Sequence, residues 1–340
     1  MPRYRERSLS PSWRKLVTNK LHGIFAAMCT PFDSSGEKVD EGRYTAHIDE
    51  LIEAGLHGLV LCSGTGEYAY LREEEKRRLI ELGARHVNGR VPTIAQTTAL
   101  STADCIRNSR MAEDAGASAV MVLPPFLEAP GERGVIYHYE AIAKSISIPV
   151  VMYNVPEQSC VDITPDLYRR LLAIENLDYI KDSSGDFTSL QKLTAVGGGV
   201  MCGIDSLAPW SLMSGCCGMI WGAANFMPHE CARLYDLISA GQHSEAIDLW
   251  DTMKTISLWF GGNAFGVDYL TGVKAAARLS GRDMGPCRKP LPPVPGPARQ
   301  AMRIALSRLP VNAVSDNRLL WRDWEEERDW LVQSTRGISV

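Results

Sequence analysis

The sequence lacks the usual marks of several functional classes. Its 340 residues hold no CxxC pair, and the nine cysteines (Cys29, Cys62, Cys105, Cys160, Cys202, Cys216, Cys217, Cys231, Cys287) show no metal-ligand spacing. That argues against a zinc module, and no metal is expected. The odd count, with several cysteines inside apolar runs, reads as buried reduced thiols of a cytoplasmic protein. No apolar stretch is long enough to cross a membrane. Residues 1–20 are basic with a single acid, Glu6, and have no apolar h-region, which speaks against a secretory signal. They read as a partner-binding arm in preference to an organellar address. The net charge of −4 gives no bulk attraction to nucleic acid or anionic lipid. No GxGxxG follows the first apolar run, which disfavours an open dinucleotide-binding sheet. His22, His57, His86, His138, His229 and His243 show no paired spacing and read as structural or solvated.

What is present is a regular alternation. Short apolar, β-branched runs at 24–30, 58–62, 93–97, 119–123, 150–153, 179–181, 200–203 and 218–222 read as strands. Amphipathic stretches at 40–54, 72–87, 101–115, 134–144, 164–174, 187–195 and 206–214 separate them. Strands alternating with helices imply parallel βαβ units, and eight such units imply an α/β fold, a closed (β/α)8 TIM barrel. The expected division is an arm over 1–20, the barrel over 21–225, additional C-terminal helices over 226–309 and a Trp-rich extension over 310–340. Pro286 to Pro297 is rich in proline and reads as an extended connector. The tryptophans of the last segment predict a helix packed on the barrel or on a neighbouring subunit.

On such a barrel the chemistry sits where strands end. The fifth run ends in Tyr153-Asn154-Val155-Pro156 and the sixth in Lys181-Asp182-Ser183-Ser184-Gly185. Alone, Tyr153 reads as a core residue and Lys181 as a surface one. On consecutive strand tips they point to Schiff-base chemistry, in which a neutral amine condenses with a ketone. The second run ends in Gly64-Thr65-Gly66-Glu67, a small-residue turn whose N–H groups suit a carboxylate.

These three segments, with Thr30-Pro31-Phe32, resemble the dihydrodipicolinate synthase / N-acetylneuraminate lyase family, in the right order from about Leu21 to Leu309. The resemblance implies that Lys181 forms the imine with pyruvate or another 2-oxo acid and that Tyr153 shuttles protons. It also implies that Thr65 and the N–H of Gly66 hold the carboxylate. No organic cofactor is implied, because the imine is the electron sink. Ser183, Gly203, Asp205 and Trp221 are expected to line the remaining pocket, Asp205 at a position similar to a sugar-hydroxyl ligand and Trp221 as an apolar wall. A homo-oligomer, dimer or tetramer, is implied.

Departures from the pattern narrow the reaction. Gly64 stands where the synthase has a relay hydroxyl, Phe126 where it has a second tyrosine, and Gln158 near its substrate-binding arginine. The segments 181–186 and 285–291 are similar to 4-hydroxy-2-oxoglutarate aldolase-like proteins, and 64–68 to keto-deoxy sugar acid dehydratases. The expectation is therefore a member other than the lysine-biosynthetic synthase: a lyase that splits a 2-oxo acid into pyruvate and an aldehyde, or the reverse. A dehydratase using the same imine is the alternative. An inactive barrel with a scaffold role is the alternative of another class.

Overall fold

The apolar runs form eight strands: β1 (Gly23–Ala27), β2 (Gly58–Leu61), β3 (Thr93–Gln96), β4 (Ala119–Val122), β5 (Val150–Asn154), β6 (Tyr179–Asp182), β7 (Gly199–Cys202) and β8 (Gly218–Trp221). The computed structural model describes residues 21–261 and 266–310. The expected arm, and the Trp-rich extension beyond Pro310, lie outside the described residues. Each strand pairs in parallel with the next, and β8 pairs with β1, so the sheet closes into a barrel.

The helices are α1 (Glu41–Glu53), α2 (Glu73–Val87), α3 (Thr102–Asp114), α4 (Glu132–Ala143), α5 (Pro156–Ser159), α6 (Pro165–Leu171), α7 (Phe187–Val196), α8 (Ala208–Met213), α9 (Pro228–Ser239), α10 (His243–Gly261), α11 (Tyr269–Leu279) and α12 (Gly296–Leu306). Several begin on a side-chain cap. Asp40 accepts from the N–H of Arg43, Ser101 from that of Asp104, and Asp186 from those of Thr188 and Ser189. Thr164 caps α6 with Pro165 at its first position. The ends differ from the sequence expectation by a few residues. The first strand is the clearest case: it stops at Ala27 because the N–H of Cys29 donates to Asn225 Oδ1 at 2.9 Å rather than to a strand. Helix α5 has only four residues, too few to show a period.

Both faces of every strand are buried. Phe25, Val60, Ile94, Met121, Val151, Tyr179, Met201 and Ile220 fill the barrel interior. Ile24, Leu59, Leu61, Val120, Met152, Ile180 and Trp221 pack outward against the helices. This two-sided burial is why the strands read as continuous apolar runs and not as an alternation.

The β8–β1 seam is held by Asn225. Its amide nitrogen donates to the carbonyls of Ala27 and Gly222, both at 2.8 Å, and its Oδ1 lies 3.0 Å from His47 Nε2 as well as accepting from Cys29. Helix α9 packs on α8 and β1, and α10 on α9. Helix α11 leans on two turns at the C-terminal rim, 64–66 after β2 and 222–225 after β8.

Candidate active site

Alternation along β5 and β6 points Tyr153 and Lys181 inward, in step with Val151 and Tyr179. Their Cα atoms are register partners across the β5–β6 ladder. The Lys181 Nζ lies 4.1 Å from the centre of the Tyr153 ring, and Lys181 is only 6% exposed. The amine therefore sits against an aromatic face with its phenol at hand.

The next pair along the same ladder fixes this one. Asn154 and Asp182 are also register partners, and Asn154 Nδ2 donates to Asp182 Oδ1 at 2.8 Å. Asn154 Oδ1 accepts from the N–H of Ile163, and the Ser184 hydroxyl donates to Asp182. Burial pushes the Asp182 carboxyl above the usual range, against these hydrogen bonds. Just past the end of β7 the decisive feature is a missing side chain. A Cβ on Gly203 would lie 2.1 Å from Ser183 Oγ and 2.6 Å from Lys181 Cε. Gly203 thus leaves the room that the lysine stem occupies.

Strand β2 stands opposite β6 in the ring. The turn after it is a single 3-10 turn, Gly64–Gly66, followed by Glu67 in the left-handed region at φ 62°. Its hydrogen bonds change one expectation. The N–H of Gly66, assigned to the carboxylate from sequence, donates to Ser63 O at 2.9 Å. The first N–H groups of such a turn are the unpaired ones. No acceptor is seen among the described residues for those of Gly64 and Thr65. The donors that the turn leaves without an acceptor among the described residues are thus the N–H groups of Gly64 and Thr65, beside the Thr65 hydroxyl. Gly66 matters differently: a Cβ there would meet Met28 O at 2.7 Å.

The far wall is polar and partly unsatisfied. Asp205 is 5% exposed; its Oδ2 accepts from the Tyr269 hydroxyl at 3.0 Å, and its Oδ1 has no hydrogen-bond partner among the described residues. Burial pushes this carboxyl up to about 6, against the opposing pull of Trp221, Tyr269 and the Lys181 charge. Trp221 is not the pocket wall expected. It is fully buried, because its neighbour Ile220 takes the inward direction and Trp221 the outward one. Its indole N–H favours the charged form of Asp205, while Trp221 Nε1 and Asp205 Oδ1 have no hydrogen-bond partner among the described residues. Gly222 has no room for a Cβ, which would meet the Tyr269 hydroxyl at 2.3 Å.

Gln158 is exposed on α5, and Phe126 is partly buried in the β4–α4 loop, beside Leu127, which is left-handed (φ 71°) and 77% exposed. A cavity of about 720 Å³ opens among Phe32, Arg43, Lys274, Cys287 and Lys289, but Lys181, Tyr153 and Thr65 do not line it. The site is therefore located by the strand tips and not by that cavity.

Comparison with known proteins gives the family. The model of the dihydrodipicolinate synthetase family matches residues 20–309. The chain belongs to the dihydrodipicolinate synthetase family. It is 32% identical over 293 residues to the 4-hydroxy-tetrahydrodipicolinate synthase of Methanospirillum hungatei, covering 84% of this chain and 98% of the relative. The enzyme of that name from Bacillus velezensis is 34% identical over 289 residues, with the same coverage. Among solved structures, the E. coli prophage protein YagE in complex with pyruvate superposes with a TM-score of 0.79 at 27% identity, covering 84% of this chain and 98% of that one.

This member of the dihydrodipicolinate synthetase family is thus a lyase-type enzyme on a (β/α)8 barrel. All nine cysteines are free, and burial pushes the thiols of Cys29, Cys62 and Cys105 up to about 12, which disqualifies them as nucleophiles at neutral pH. Among the described residues no three His, Cys, Asp or Glu side chains converge as a metal site, and no helix is long and apolar enough to cross a membrane. Tyr269, Lys274, His47 and Asn225 escaped the sequence reading. Lys274 did leave a signal, a lone cation in the run Val273-Lys274-Ala275-Ala276-Ala277. A buried charge of that kind calls for a partner.

Proposed function

We propose that this enzyme is a class I lyase that joins Lys181 to the ketone of a 2-oxo acid such as pyruvate and makes or breaks the C3–C4 bond, giving pyruvate and an aldehyde on cleavage. The observation that carries the reading is the contact of the Lys181 amine with the Tyr153 ring at 4.1 Å, inside a nearly closed site. The Lys181 nitrogen adds to C2, and the Tyr153 hydroxyl passes a proton to the carbinolamine oxygen, which leaves as water. The cationic imine then draws electrons from the C3–C4 bond, one carbon away from C2. As that bond breaks, the substrate hydroxyl gives its proton to the tyrosinate and leaves as an aldehyde. The remaining enamine takes a proton at C3, and water releases pyruvate and the free lysine. The imine is the electron sink, so this sequence calls for no other cofactor.

Thr65 and the turn N–H groups suit the substrate carboxylate, and the free Oδ1 of Asp205 suits a substrate hydroxyl. Gly64, Phe126 and Gln158 support a reaction other than that of the synthase. The named relatives favour a second reading, the synthase reaction itself. Exposed Leu100, Leu127 and Tyr137, on neighbouring loops and on α4, support a face that receives a second copy of this chain; light scattering after size exclusion tests it.

Borohydride reduction with pyruvate and peptide mapping tests the imine. No adduct on Lys181 would end the lyase reading. Product analysis separates the reactions. Pyruvate released from a hydroxylated 2-oxo acid supports cleavage. A 2-oxo product of unchanged carbon count supports a dehydratase, and 4-hydroxy-tetrahydrodipicolinate supports the synthase. Trapping without turnover of any of these would favour a binding or scaffold role.

A further inference from the structure

Glu67 is the residue on which the carboxylate cradle hangs. It follows Thr65 and Gly66 directly, in a left-handed conformation that side chains rarely adopt. Its side chain is 0% exposed, and the Nζ of Lys274, itself 4% exposed, lies 2.5 Å from Oε1, an ion pair by distance though not aligned as a hydrogen bond. Its Oε2 accepts from the backbone N–H of Arg288 at 2.8 Å.

Each partner is held in turn. Lys274 Nζ donates to Pro286 O at 3.0 Å and lies 4.4 Å from the centre of the Phe32 ring. The Arg288 guanidinium stacks on Phe32, at 4.4 Å, grips Glu75 at 2.6 and 2.9 Å and donates to the carbonyls of Tyr70 and Glu37. The turn's backbone is tied as well, since the Thr30 hydroxyl donates to Gly66 O at 2.7 Å.

We propose that Lys274 is a positioning residue for 2-oxo acid recognition: through Glu67 it sets the place of the Thr65 hydroxyl and turn N–H groups that receive the substrate carboxylate. This rests on the Schiff-base reading above. A buried carboxylate without its cation is driven out or neutralised, and the backbone carrying it moves with it. The effect falls on binding and not on the imine step, because Lys181 and Tyr153 stand on β5 and β6, across the ring from β2. Helix α11 would then serve both sides of the site, with Lys274 beneath the cradle and Tyr269 on Asp205.

The test uses the full chain, with pyruvate as probe and borohydride trapping at Lys181 as readout. Lys274→Met should raise the pyruvate concentration for half-maximal trapping by roughly tenfold to a hundredfold, leaving the limiting rate within about threefold. Glu67→Gln keeps the shape of the side chain, should shift the same quantity in the same direction, and serves if Lys274→Met does not fold. Combined with Thr65→Val, either variant should add little to the loss from Thr65→Val alone, because both act through one turn. A folded variant with unchanged half-saturation overturns the proposal. So does full additivity with Thr65→Val, the pattern of a general loss of stability. If the wild-type chain itself traps no pyruvate, the failure lies with the Schiff-base reading and takes this inference with it.

Discussion

The Lys181 amine and the Tyr153 ring face each other at 4.1 Å because their residues are register partners on β5 and β6 and both point into the barrel. In that arrangement the phenol speeds loss of water from the carbinolamine, a proton transfer that solvent can also supply, whereas the proton transfers to and from the substrate hydroxyl depend on it. Tyr153→Phe keeps the ring and removes the hydroxyl. It should still trap pyruvate under borohydride, while turnover falls by about 10²- to 10⁴-fold, the usual worth of a positioned acid–base group. Steady-state kinetics beside trapping checks both halves, and unchanged turnover removes Tyr153 from the mechanism.

Gly203→Ala tests how closely the pocket is fitted around the lysine. The added methyl would collide with Ser183 Oγ at 2.1 Å and Lys181 Cε at 2.6 Å. The barrel should fold, since Gly203 lies past the end of β7, but the limiting rate of pyruvate trapping should fall by about 10²-fold, the scale expected when a reacting group is displaced by about 1 Å. A trapping rate like that of the wild type would show that the stem moves freely.

Asn225→Ala probes closure of the ring. The substitution leaves the Cys29 N–H, the Ala27 and Gly222 carbonyls and the buried His47 without their shared partner. Each buried group left unsatisfied costs about 1–3 kcal/mol, and partial relaxation makes a total of about 3 kcal/mol reasonable. Denaturant unfolding should show this loss as a lower midpoint with an unchanged slope.

Much of this fold could be read from sequence because a barrel strand is buried on both faces, and eight apolar runs spaced by amphipathic helices have one economical closure. Tyr153 and Lys181 were legible for the same reason: each ends a run. What could not be read depends on direction and on distant segments. Trp221 ends a run too, but one step of alternation turns it outward, and a run without alternation gives no parity. The Gly66 N–H looked available until the turn's own hydrogen bond claimed it. Tyr269 and Lys274 belong to a helix beyond the barrel strands, and only the fold brings them to Asp205 and Glu67.

Asp205 should leave a mark on stability against pH. Burial first of all raises its carboxyl from 3.8 to about 6, so the folded protein takes up this proton at a higher pH than the unfolded chain does. Between about pH 4 and 6 the native state therefore binds more protons, and stability falls as pH rises through that window. Asp205→Asn removes the titration. The wild-type stability minus that of Asp205→Asn should decline across the window by on the order of 3 kcal/mol and be flat above about pH 7. Tyr269→Phe deletes the hydrogen bond that helps hold the carboxylate charged; with that support gone, the descending limb should move to higher pH. Unfolding in urea at half-unit pH steps measures all three curves. A flat difference between wild type and Asp205→Asn would mean that Asp205 is already solvated in the folded protein, and the proposed hydroxyl-binding role would lose its buried carboxylate.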